Sequence, residues 1–246
     1  MDSCAWLDTP LGRRCIENEQ RLVAGALDRI FGEQLLQIGL WGDRRTFVSH
    51  ARTQRTTVLG ESTECRDVDL ISDGGSLAIA SDSIDAVLLP HTLEYSPSAH
   101  ALLREVDRVL RGDGYLIVLG FHPGGPFGIR HLFDPHGYPP GSRRLIREGR
   151  LADWLELLSF DVAATEGYCH ALPFERSARL AAFPSEQWAR RWLPFAAGGY
   201  LLVAQKRVIR MTPIRPTWRR RRLRAVGGLV EPTTRASRTR AGHIAR

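Results

Sequence analysis

The residues of this chain that could do chemistry stand just past its short apolar runs. The stretch LLQIGLWGDRRT, residues 35–46, places Gly39 and Gly42 behind the first of these runs. A glycine there lets a ligand approach the backbone, and a following helix offers free N–H groups. Glu61 comes 22 residues after Gly39. At about that distance a carboxylate can accept both hydroxyls of a ribose, although a solvated loop acid would look the same. Asp73, ahead of Gly74, could accept from an adenine amino group or simply close an Asx turn. His91 and Glu94, in PHTLEYS, could face a ligand or pack inside. His122, His131 and His136 share one later segment. No carboxylate or cysteine completes a tight ligand set around them, so no metal is expected. The chain has no G-x-S-x-G, Walker A or H-E-x-x-H motif, which leaves hydrolase and ATPase chemistry without support.

The elements that must position these residues follow from periodicity. Leu22, Val23, Ala26, Leu27 and Ile30 repeat as one helix face, predicting a helix over residues 17–32 that ends near Gly32. LLQIG, TTVL, VDLI, IDAVLLP and YLIVLGF read as strands. Between the last two, Leu102, Leu103, Val106, Val109 and Leu110 form the stripe of a helix with Ser96-Pro97 at its start and Gly112 at its end. The Gly- and Pro-rich residues 122–142 read as a long loop. A helix with Leu151, Trp154, Leu155 and Leu158 inward follows, then strands DVAAT and GYLLVAQ around an aromatic-rich insertion, residues 168–198. Strands alternating with helices predict an α/β fold: a parallel sheet with helices on both faces, binding at the carboxyl ends of its strands.

Charge divides the chain. From Lys206 onward there are thirteen basic residues and one acidic residue, so a tail of +12 follows a body of −5. Residues 1–210 therefore read as the domain and 211–246 as a basic, disordered tail. Arg219–Arg224 could grip phosphates, but only Trp218 is at hand to stack on a base, so nucleic acid is not the favoured partner. No apolar run approaches the ~20 residues of a membrane span. The four scattered cysteines and the acidic N-terminus, without a signal-like segment, point to a reducing cytoplasm.

DGGSLAI, IDAVLLPHTLEY, LLREVDRVL and RGDGYLIVLGF together resemble the type 11 domain of class I S-adenosylmethionine (SAM)-dependent methyltransferases. The resemblance runs from about Leu11 to Trp218. It implies a Rossmann-like, mostly parallel seven-stranded sheet and SAM as cofactor. It places the methionine moiety at Gly39–Gly42, the ribose at Glu61 and the adenine beside Asp73 and Gly74. The Pro90 carbonyl would face the adenine amino group. Apart from the resemblance, His91 and His122 are the first candidates for a base. The resemblance also implies methyl transfer to a small-molecule acceptor, its pocket shaped by residues 121–142 and 168–198. Gln37, Trp41 and Asp43 stand where the family's turn has an acid and two glycines. The alternative reading is a binding module on the same fold that has lost catalysis.

Overall fold

A computed structural model of the chain describes residues 3–60, 67–169 and 197–207. Seven strands form one sheet in the order β3-β2-β1-β4-β5-β7-β6. They are β1 (Phe31–Ile38), β2 (Arg52–Gly60), β3 (Leu70–Ile71), β4 (Ile84–Pro90), β5 (Leu110–Phe121), β6 (Phe160–Tyr168) and β7 (Gly199–Lys206). β1 to β5 are parallel, and β7 lies antiparallel to both β5 and β6. This is the sheet expected from the alternation of strands and helices.

Successive strand residues point to opposite faces, and each face meets its own helices. Leu36, Val87, Leu89, Leu116 and Val118 pack against α5 (Ala99–Val109) and α7 (Glu148–Leu157). Leu35, Ala86, Leu88, Ile117 and Phe121 pack against α1 (Ser3–Leu7), α2 (Pro10–Leu27), α3 (Arg45–Val48) and α6 (Pro126–Phe133). A short α4 (Thr92–Tyr95) follows β4 directly.

Four boundaries differ from the sequence reading. α2 starts at Pro10, where Thr9 caps Gly12 N–H, and ends at Leu27. Gly32 is inside β1, because the Asp85 carboxylate leans on that position and takes the N–H groups of Glu33 and Gln34. The cap of α5 is Ser98, not Ser96, and the chain enters β5 at Leu110, before Gly112. Residues 126–133 are helical rather than loop. Pro126 occupies the first turn, where its missing N–H costs nothing, and Phe127 anchors the helix in the core. The insertion expected over 168–198 lies almost wholly, and the tail expected over 211–246 wholly, outside the described residues.

Candidate active site

The sequence-predicted residues gather at the carboxyl ends of β1, β3, β4 and β5. Gly39 and Gly42 both have left-handed backbone, φ +90° and +77°, the conformations that favour glycine. Gly39 N–H bonds to Leu59 O, tying the turn to the end of β2. A β-carbon on Gly39 would stand 2.7 Å from Thr92 Oγ1, so the turn is closely backed by α4. Beneath it Gln37 is fully buried. Its amide N–H donates to Gly39 O, while its Oε1 has no partner.

Across the sheet, Asp73 is exposed and its carboxylate accepts from Gly75 N–H, beside a buried Gly74. Pro90 closes β4, buried, and the neighbouring Thr92 hydroxyl donates to Ile38 O. Glu61 lies outside the described residues.

His91 is fully buried, with left-handed backbone, between two carboxylates. Its Nδ1 lies 3.0 Å from Glu94 Oε2 and its Nε2 3.1 Å from Glu19 Oε1. Only an imidazolium donates from both nitrogens. Burial alone would push the ring's pKa down, but the charges and hydrogen bonds of Glu19 and Glu94 outweigh it and hold it up at about 9. Burial pushes the Glu94 carboxyl up, while His91 and the Phe121 N–H draw it back. Glu19 also accepts from Trp41 Nε1 at 2.8 Å and from the Tyr168 hydroxyl at 3.0 Å. Burial raises the Tyr168 hydroxyl well above its usual range, so it serves as a donor.

The Trp41 ring is therefore turned inward. It packs 4.4 Å from His91, 5.9 Å from Trp6 and 6.0 Å from Phe121, centroid to centroid. These contacts all lie on the side of α1, β4 and β5, away from Asp73 and Gly74 on the side of β2 and β3. Next to this cluster Cys15 Sγ lies 3.0 Å from Cys169 Sγ, both buried.

His122 takes no part in this network, although it follows Phe121, whose ring stacks on His91. Its Nδ1 accepts from Gly124 N–H, and its Nε2 lies 3.0 Å from Glu148 Oε2. That approach is off the line of a hydrogen bond, so the buried Oε2 has no bonded partner. Beside α6 a cavity of about 220 Å³ is lined by Trp6, Thr9, Arg130, Asp134 and Tyr138, among others.

Sequence reasoning missed Glu19 and Tyr168. Glu19 carried a signal, since it lies in phase with Leu11, Cys15, Val23 and Leu27 on the buried face of α2. A carboxylate inside an apolar stripe needs buried partners.

Residues 44–118 match a methyltransferase domain. A relative from Escherichia coli (strain K12), the uncharacterized protein YafS, is 30% identical over 226 residues, covering 91% of this chain and 90% of its own. This chain belongs to the class I methyltransferases. Two SAM-dependent methyltransferases of known structure share the fold of this chain. That of Thermotoga maritima, described as a possible histamine N-methyltransferase, has a TM-score of 0.57 at 16% identity, covering 78% of this chain and 89% of its own. That of Archaeoglobus fulgidus has a TM-score of 0.55 at 17% identity, covering 76% and 94%.

SAM is the cofactor of the class I methyltransferases. The turn of this chain fits it in two respects: both glycines keep the left-handed backbone of a close approach, and the orphaned Gln37 Oε1 is an acceptor where the family has an acid. Among the described residues no helix is long and apolar enough to cross a membrane, and no cluster of three or more His, Cys, Asp or Glu could hold a metal.

Proposed function

We propose that this protein transfers a methyl group from SAM to a small-molecule acceptor. The observation that carries the reading is the Gly39–Gly42 turn, left-handed at both glycines at the end of β1, with Trp41 turned away from the β2–β3 side. When bound, SAM supplies a methyl group already activated on a sulfonium. Gly39, Gly42 and Gln37 would hold its methionine end, and Glu61, Asp73, Gly74 and Pro90 its nucleoside. Such a displacement needs mainly alignment and exclusion of water. That suits a site where His91 has no free lone pair and the Nδ1 of His122 is already in use.

Calorimetric titration of the full chain with SAM and with S-adenosylhomocysteine tests the reading. Both should bind. Gly39→Ala, whose new methyl would crowd Thr92 in a left-handed turn, should weaken both at least about tenfold. The absence of binding by either ligand at millimolar concentration would sink the reading.

A further inference from the structure

Two of the four cysteines meet where the first long helix packs against the edge of the sheet. Cys15 lies on the buried face of α2, one turn before Glu19. Cys169 directly follows Tyr168, the last residue of β6. The two positions are 154 residues apart in the chain, yet their sulfurs stand 3.0 Å from each other with no bond between them. Spacing offered no sign of this pair, since the chain has no C-x-x-C.

Both sides of the pair are held. The Tyr168 hydroxyl donates to Glu19, which ties the same two elements together one residue and one turn away. Cys169 has left-handed backbone, φ +55°, which a residue other than glycine rarely adopts. Its carbonyl accepts from Gly198 N–H, and a β-carbon on Gly198 would stand 2.4 Å from that oxygen. The fold thus fixes Cys169 in place from the side of β7 while α2 presents Cys15 from the other. A single buried thiol ordinarily serves as a small apolar group. Two sulfurs brought face to face can also be joined.

We propose that Cys15 and Cys169 are a redox-responsive pair, which a hydroperoxide converts to a reversible disulfide that staples α2 to the end of β6. In the first step one sulfur attacks the peroxide. An S–O bond forms, the O–O bond breaks, and an alcohol leaves, or water when the oxidant is hydrogen peroxide. In the second step the other sulfur attacks the sulfenic sulfur. The S–S bond forms, the S–O bond breaks, and water leaves. The two thiols give up two electrons and two protons in all, and the peroxide takes them up. Because the second sulfur is already in place, it captures the sulfenic acid ahead of further oxidation. Both side chains are buried, so a small peroxide reaches them only as the seam between α2 and β6 opens, and the reaction is slow. A thiol reductant reverses it by exchange, so in reducing surroundings the bond is transient. The inference is independent of methyl transfer and needs no cofactor for its test.

The folded full chain is treated with hydrogen peroxide, denatured in excess alkylating agent, digested and mapped by mass spectrometry. The peptides of Cys15 and Cys169 should be joined, lighter by two hydrogens than their sum, and should separate in dithiothreitol. The oxidised chain should melt roughly 5–15 °C above the reduced one, because the bond closes a long loop in the unfolded chain. Cys15→Ala and Cys169→Ala should each abolish that rise, while Cys4→Ala with Cys65→Ala should keep it. The proposal is overturned if peroxide leaves both thiols of the parent open to alkylation, or carries either one singly to the sulfinic acid. Joining of Cys15 or Cys169 to Cys4 or Cys65 as readily as to each other would overturn it too, by showing that the oxidant acts on unfolded chain.

Discussion

Glu19→Leu should lower the melting temperature by roughly 6–20 °C. Glu19 is fully buried and gathers the indole of Trp41, the hydroxyl of Tyr168 and the imidazolium of His91. Leucine packs on the same face of α2 but leaves those donors without an acceptor. Breaking a buried ion pair from one side costs about 3–5 kcal/mol, because a charge stays behind unpaired. For a domain of this size each kcal/mol moves the midpoint about 2–4 °C. Glu19→Gln keeps one acceptor oxygen and the shape of the side chain, so it should lose distinctly less. Thermal melts of the three proteins at one pH provide the check. A leucine variant as stable as the parent would mean that the network contributes nothing net.

Stability should also fall as pH rises from about 6.5 to about 9. The folded-state pKa of His91, about 9, lies above its ordinary 6.5. The folded chain therefore holds this proton where the unfolded chain has released it. The resulting stabilisation is complete below about pH 6.5 and is lost as pH climbs through 9, in total roughly 3 kcal/mol. Glu94 acts in the same direction, because its carboxyl is also raised above the usual range, by burial. Denaturant melts across that window should show the decline, and His91→Gln should flatten it. A flat profile in the parent would show that the ring is neutral in the fold.

Much of the architecture was legible because it rests on local apolar pattern. IDAVLLP is a strand buried on both faces, and its observed limits, Ile84–Pro90, are those of the apolar run. The stripe of α5 gave its inward face correctly, Leu102, Leu103, Val106 and Val109. α6 was not legible, since its glycines and prolines are those of a loop. Gly128 is there because Pro123 comes too close for a β-carbon, a tertiary fact. At the site, the turn could be located but the direction of Trp41 could not. The ring is aimed by Glu19, 22 residues earlier on another element, and no local rule encodes that choice.

The same network has a consequence for the order of assembly. Glu19 bonds to Tyr168 across 149 residues, and Trp6 to Tyr138 across 132. Contacts so distant along the chain come at a high loop-closure cost and form late. On the ribosome the first long helix emerges well before the strands that will receive its buried carboxylate. The parallel centre of the sheet can pair in the meantime, because β1, β2, β4 and β5 are all made earlier than Tyr168. The long N-terminal helix can thus meet Trp41 and His91 early, but the last bond of its buried carboxylate closes only when the strand that carries Tyr168 is made.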